Sequence, residues 1–230
     1  MENVLDKIKN TVVVSVQAMP SEPLYLEKCM VAMMKSVING GAGGLRVAGI
    51  RDIANAKRLF KVPVIGITKP ERIPQNYKEI VYITPTIKDV IDIVNAGADI
   101  VAFDGTQRKR PNDEKLQDLI KYVHIKKKIA MADVSTIEEG IKAQEAGADA
   151  LSTTLAGYTM ESINSPSDGP DFGLLEELVK QTDLPVMLEG RIWEPWQVDK
   201  AFEIGAHSVV IGSAITRPQL ITKRFVFRNK

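Results

Sequence analysis

INGGAGGLRV (38–47), NAGADIVAFD (95–104), EAGADALSTT (145–154) and EIGAHSVVIG (203–212) repeat one phrase: a helix end, a Gly-Ala turn, then an apolar strand. A chain leaving a helix for a strand needs a residue with positive φ at the helix C-cap, and glycine supplies it without a Cβ clash. Gly41, Gly97, Gly147 and Gly205 hold that place, at spacings of 56, 50 and 58 residues. That spacing is about two βα units, so four phrases predict eight units.

The strand candidates agree with this count. They are VVVSVQ (12–17), GLRV (44–47), PVIGITK (63–69), DIVAFD (99–104), IAMADV (129–134), ALSTTL (150–155), PVMLEG (185–190) and SVVIG (208–212). Helix-period stretches such as LYLEKCMVAMMKSVIN (24–39) and STIEEGIKAQEAG (135–147) separate them, the second opening with Ser135 and Glu138 at capping-box spacing. Continuous Val/Ile-rich strands alternating with amphipathic helices mean a parallel sheet covered by helices. The expected fold is α/β, a (β/α)8 TIM barrel of eight parallel strands forming a single domain over 1–230. An open doubly wound sheet is the alternative, but no G-x-G-x-x-G follows the first strand to support it. The extra apolar piece IVYIT (80–84) reads as part of a long third βα loop.

The composition fits a soluble enzyme-sized domain. Of 230 residues, 44% are hydrophobic and 26% charged, enough to bury one sizeable core. Thirty basic residues against 29 acidic give a net charge of +1, without the basic excess of a nucleic-acid or membrane-surface binder. The lone Cys29 rules out an intrachain disulfide and any multi-cysteine metal site, and suits a reducing cytoplasm. No apolar run approaches the roughly 18 residues of a membrane span. Asp6, Lys7 and Lys9 stand where a secretory signal needs an apolar stretch, so a cytoplasmic location is expected.

Barrel enzymes carry their chemistry at the C-terminal ends of the strands. The last polar residues of the candidates are Gln17, Arg46, Lys69, Asp104, Asp133, Thr153 or Thr154, and Glu189. Side chains in a strand alternate faces, so counting back by two assigns Ile67 and Ile65, Ala102 and Ile100, Met131 and Ile129, and Met187 to the barrel interior. Apolar layers beneath a polar ring describe a filled barrel with a pocket on top. A lysine, an arginine, carboxylates and a glutamine are costly to bury on one rim unless they act together.

The turns after strands seven and eight, LEGRI (188–192) and IGSAITRP (211–218), carry glycines at expected helix N-termini. This is the usual phosphate cradle of the fold. Main-chain donors would be Gly190, Arg191, Gly212 and Ser213, with Arg217 as charge partner. His124, in a helix-like run, and His207, just before strand eight, lie away from the rim, so a His-based metal site is not expected. A magnesium site on Asp104, Asp133 and Glu189 stays open, although Lys69 and Arg46 would compete with the cation.

SVQAMPSEPL (15–24), GGAGGLR (40–46), GITK (66–69), MADVST (131–136), STTLAGYT (152–159), LEGRI and IGSAITRP occur in order across essentially the whole chain. Together they resemble the N-acetylmannosamine-6-phosphate 2-epimerases of bacterial sialic-acid catabolism. The resemblance implies cofactor-independent, metal-independent interconversion of N-acetylmannosamine 6-phosphate and N-acetylglucosamine 6-phosphate. It implies a catalytic lysine at Lys69, with Gln17, Arg46, Asp133 and Glu189 in support. Gly190, Arg191, Gly212, Ser213 and Arg217 would bind phosphate. The sequence departs from the family pattern at Val47 and Ala48, where Ala and a polar residue are expected.

The residue chemistry agrees with that reaction. Inversion at C2 of the open-chain aldehyde needs a base to remove a proton and an acid to return one on the other face. A lysine base must be neutral, and its ordinary pKa of about 10.4 is too high. A dry pocket and the Arg46 charge would both lower it. Lys69 as base, Glu189 as acid, Asp133 orienting Lys69, and Arg46 or Gln17 on the enolate oxygen form the expected set. Lys69 alone moving the proton is the variant. A Schiff-base lyase using Lys69 and a silent sugar-phosphate binder are the rival functions. The long polar loop 157–172 has lid length, with Gly157 and Tyr158 nearest the rim as expected substrate contacts. The tail ITKRFVFRNK (221–230) exposes Ile221, Phe225, Val226 and Phe227, so a homodimer is expected, with a sugar phosphate as the only other partner.

Overall fold

A computed structural model describes residues 4–227 of the chain. Eight strands close into a parallel barrel in chain order: β1 (Val12–Val16), β2 (Gly44–Ala48), β3 (Val64–Ile67), β4 (Ile100–Asp104), β5 (Ile129–Asp133), β6 (Ala150–Ser152), β7 (Val186–Glu189) and β8 (Ser208–Ile211). The helices around them are α2 (Glu27–Asn39), α3 (Ile50–Leu59), α4 (Ile87–Asn95), α5 (Leu116–Ile125), α6 (Ile137–Glu145), α7 (Phe172–Gln181) and α8 (Pro195–Ile204). The expected (β/α)8 barrel is the one observed, and every strand lies within or one residue beyond its expected stretch. The four Gly-Ala turns carry φ of +98, +97, +98 and +111° at Gly41, Gly97, Gly147 and Gly205, the conformation that made glycine necessary there.

Strand alternation divides the apolar residues into two cores. Val13, Ile65, Ile67, Ile100, Ala102, Met131, Met187 and Val210 fill the barrel, with Ile129 packed against them. Val14, Leu45, Val101, Leu151, Leu188 and Val209 face outward and meet the apolar faces of the helices. A short first helix, α1 (Val4–Ile8), closes the barrel's lower end with Leu5 and Ile8. His207 is at the same end, its Nε2 2.9 Å from the Leu5 carbonyl. His124 lies on α5 against Asp149, at 2.9 Å.

Three local expectations are corrected. The first long helix begins at Glu27 rather than at residue 24, because Pro23–Tyr25 forms a separate 3-10 turn. The capping box of α6 is built by Thr136 and Glu139, one residue beyond Ser135 and Glu138. Ser135 instead donates its hydroxyl to the same Glu139 carboxylate at 2.8 Å. The sixth strand stops at Ser152, and Thr153–Leu155 coil into a 3-10 turn.

After β8 the chain makes only a four-residue helix, α9 (Ser213–Thr216), before α10 (Pro218–Val226). No described residue of α10 is buried. The seam between β8 and β1 therefore lacks a full covering helix. An apolar groove of about 870 Å³ remains there between α2 and α8, lined by Val14, Met33, Val37, Val198, Ile211 and Ile215.

Candidate active site

A cavity of about 430 Å³, large enough for a sugar phosphate, opens at the C-terminal ends of the strands. Lys69 follows β3 and Glu189 ends β7, and both line it. In a closed ring of eight, those strands are four places apart, so the two side chains enter from opposite walls. Gln17 and Ser15 line the cavity on the β1 side, where Gln17 Oε1 accepts from Lys69 Nζ at 2.8 Å and Gln17 Nε2 donates to Ser15 Oγ at 2.7 Å.

Arg46 is not on the rim. Its register partners are Ser15 on β1 and Ile65 on β3, four residues below Lys69, so its side chain rises from within the barrel. It is 1% exposed and crosses beneath the cavity without lining it. Nη1 and Nη2 donate to Asp133 at 3.0 and 2.5 Å, and Nη1 also donates to Glu189 Oε2 at 2.8 Å. Thr154 completes the cluster, its hydroxyl donating to Asp133 at 2.9 Å and to Glu189 at 3.1 Å. Thr153 pins the strand below, exchanging hydrogen bonds with the Glu189 main chain at 2.9 and 3.0 Å. One expectation changes with this geometry: Asp133 is hydrogen-bonded to Arg46 and Thr154, and the hydrogen-bond partner of Lys69 is Gln17. Arg46 donates through Nη1 and Nη2 to carboxylates, while its Nε is buried without a hydrogen-bond partner.

Electrostatics tune the facing pair. Burial, and next the Arg46 charge, bring the Lys69 pKa down to about 8 from the ordinary lysine value. Burial pushes the Glu189 carboxyl up, against the pull of Arg46 and with the push of Asp133. Burial works against the Arg46 charge, but Asp133 and Glu189 outweigh it and keep the guanidinium protonated. Asp104 does not join this cluster. Its carboxylate takes Thr106 at 2.6 Å and Arg108 at 2.6 Å in a separate tie. Among the described residues no group of three His, Cys, Asp or Glu side chains converges as a cation requires.

Gly190, Arg191, Gly212, Ser213 and Arg217 all line the β7–β8 side of the cavity. Gly190 and Arg191 both have positive φ, +111 and +55°, a turn that bends the main chain around the cavity edge. The Arg191 guanidinium points elsewhere, donating to the carbonyls of Gly169 and Ala156, each at 2.9 Å. Arg217 is paired with Glu22, and its Nε is buried without a hydrogen-bond partner. Of the two expected loop contacts, Tyr158 lines the cavity under the Arg191 guanidinium. Gly157 does not. It seats that guanidinium, which a Cβ would meet at 3.0 Å. The loop beyond is tied down through Thr159, fully buried between Ser135 Oγ at 2.9 Å and Ser162 Oγ at 2.7 Å.

Sequence reasoning missed Ser15, Ile73, Tyr82 and Leu220 as lining residues. Ser15 was within reach, since it lies two places before Gln17 on the same strand face. Ile73 and Tyr82 come from the third βα loop, and Leu220 from α10, where no periodicity signals an inward side chain.

A family model described as "NanE: Putative N-acetylmannosamine-6-phosphate epimerase" matches residues 30–230. The chain belongs to this epimerase family. Two curated relatives named "Putative N-acetylmannosamine-6-phosphate 2-epimerase" agree. That of Clostridioides difficile (strain 630) is 47% identical over 96% of this chain and 97% of its own. That of Clostridium perfringens (strain SM101 / Type A) is 48% identical with the same coverage. A solved structure of the N-acetylmannosamine-6-phosphate 2-epimerase from Clostridium perfringens superposes with a TM-score of 0.91 at 45% identity, over 98% of this chain and 96% of that one. The fold extends well beyond the family. A thiamine phosphate pyrophosphorylase from Pyrococcus furiosus shares it at a TM-score of 0.60 and 15% identity, over 93% of this chain and 90% of that one.

Proposed function

We propose that this chain, acting as a single barrel domain, interconverts N-acetylmannosamine 6-phosphate and N-acetylglucosamine 6-phosphate by proton transfer at C2, without metal or cofactor. The observation that carries the mechanism is the placement of Lys69 and Glu189 on opposite walls of one cavity. In the open-chain aldehyde, neutral Lys69 takes the C2 proton, and the electron pair of that bond moves onto the C1 oxygen as an enolate. Gln17 donates one amide hydrogen to Ser15 and offers its second to that oxygen. Protonated Glu189 returns a proton to the opposite face, the enolate collapses to the aldehyde, and the configuration is inverted. Lys69 leaves as ammonium and Glu189 as carboxylate, which are the forms the reverse reaction needs.

The phosphate is held by the main chain at Gly190, Arg191, Gly212 and Ser213, with Arg217 supplying charge. The unpartnered Arg217 Nε beside the cavity supports this assignment. The reaction runs in the cytoplasm, which suits the free thiol of Cys29. The active form is a homodimer. Phe225 is 71% and Val226 65% exposed on a helix with no buried residue, and the open groove between α2 and α8 offers the apolar complement to a second copy's α10. Sedimentation should show a dimer that F225D dissociates, and a monomeric parent protein would sink this part.

The deciding assay is proton NMR in deuterium oxide with N-acetylmannosamine 6-phosphate and a chelator. The gluco epimer with deuterium at C2 is the expected product. Epimer without deuterium would favour shielded return by Lys69 alone. Cleavage of the sugar, or binding without turnover, would replace the epimerase by a lyase or a silent binder.

A further inference from the structure

Arg217, which supplies the charge of the phosphate assignment, stands on a partition. With Gln17 and Thr216 it lines the substrate cavity on one side and a second cavity of about 260 Å³ on the other. Glu22 lines only the second cavity. Its Oε1 accepts from Arg217 Nη2 and from Gln219 Nε2, the latter at 2.9 Å, and its Oε2 accepts from the Met19 N–H at 2.8 Å. Burial works against that charge, but these donors outweigh it and hold the Glu22 carboxyl below its ordinary pKa. The carboxylate therefore reaches Arg217 from the side away from the substrate, where it grips the guanidinium without meeting the phosphate.

We infer that Glu22 is a positioning residue for the sugar phosphate, holding the Arg217 guanidinium at the cavity wall before substrate arrives. This rests on the proposed epimerase reading and its phosphate assignment. The Arg217 side chain is 33% exposed. Left untied, so long a side chain loses its freedom only when the anion binds, and affinity falls by that amount. Without Glu22, the second cavity gives it room to turn away from the phosphate. The main chain at both ends of the tie is held independently of the Glu22 carboxylate. The Thr216 hydroxyl donates to the Ser15 carbonyl at 2.8 Å, and the Glu22 N–H donates to the Met19 carbonyl at 2.8 Å. Gln17 keeps its own bonds to Ser15 and Lys69, so removal of the carboxylate should act on Arg217 and spare the reacting pair.

The test measures kcat and KM for N-acetylmannosamine 6-phosphate by NMR in the parent, E22A, E22Q, R217A and the double variant E22A/R217A. E22A should raise KM about fivefold with kcat within about twofold of the parent's, the pattern of a side chain that must now be ordered on binding. E22Q keeps one oxygen for Arg217 and should fall between the parent and E22A. R217A should raise KM by about thirtyfold, for a lost charged hydrogen bond. On that background E22A should add less than about twofold, because the residue it positions is gone. A merely structural Glu22 would cost the same in both backgrounds. That additivity, an E22A KM at or below the parent's, or a fall in kcat larger than the rise in KM would overturn the positioning role, while turnover by the parent keeps the epimerase reading intact. R217A with the parent's KM would overturn the phosphate assignment and this inference with it. A parent without turnover would overturn the epimerase reading itself.

Discussion

Two buried arginine–aspartate pairs stand side by side in this barrel. Asp104 and Asp133 are register partners on neighbouring strands, both with fully covered carboxylates, and each holds one arginine. Arg46 reaches Asp133 from β2 and continues to Glu189 on β7, so that pair spans the barrel beneath the cavity. Arg108 reaches Asp104 from four residues further along the same loop, and continues to the Tyr77 carbonyl, so that pair braces a wall. Composition and depth are alike, and the difference lies in which strand supplies the arginine. A partner from across the ring ties three strands together beneath the cavity, whereas a partner from the adjoining loop braces that loop.

The largest effect that could break this contrast belongs to Lys69, which feels the charges of the first pair. K69M should lower kcat by about 10⁴-fold, the upper range for a positioned base. The same substitution should raise Tm at neutral pH. A lysine whose folded pKa is about 8 binds fewer protons than the unfolded chain between there and the ordinary lysine value, so the parent gains stability as pH rises through that window. The Tm advantage of K69M should therefore shrink on going from pH 8 to 10, and an advantage constant with pH would contradict a buried, depressed lysine.

E189Q comes next, with a fall of about 10²–10³ in epimer formation measured by NMR. Undiminished deuterium entry into the epimer would remove Glu189 as the obligatory acid.

D133N and D104N then set the two pairs against each other. Both directions of the reaction use the singly protonated Lys69–Glu189 pair, so each should give one bell in pH, with its alkaline limb near 8. Asp133 raises the pKa of both groups, so D133N should move the whole bell to lower pH and cost about 10–100-fold in kcat. Asp104 is not among the main charges acting on either group, and D104N should leave the bell in place. Its expected signature is a Tm lower by roughly 5 °C, for a lost charged hydrogen bond of about 2 kcal/mol, together with a KM raised a few-fold. A bell shifted equally by both variants would erase the distinction.

Much of this was legible in the chain beforehand. Glycines with one permissible use and runs such as PVIGITK located the strands, and counting by two from Lys69 or Glu189 located the barrel interior. Depth was not legible. Arg46 is polar and near a strand end, but a long side chain rooted in the layer of Ile65 ends below the pocket, and only closure of the ring reveals that. The choice between Thr153 and Thr154 depended on a 3-10 turn that no residue pattern announces. Leu5 and Ile8 plug the barrel from a segment whose charged residues masked two apolar ones.

The two ends of the chain have unequal standing in the laboratory. The helix α1 closes the barrel at the face farthest from the chemistry, while Leu220, in the first turn of α10, lines the cavity. An affinity tag or fluorescent fusion belongs on the amino terminus. The same label on the carboxyl terminus would load the helix that contributes Leu220 to the cavity wall, and rates recorded with it would describe the label as much as the enzyme.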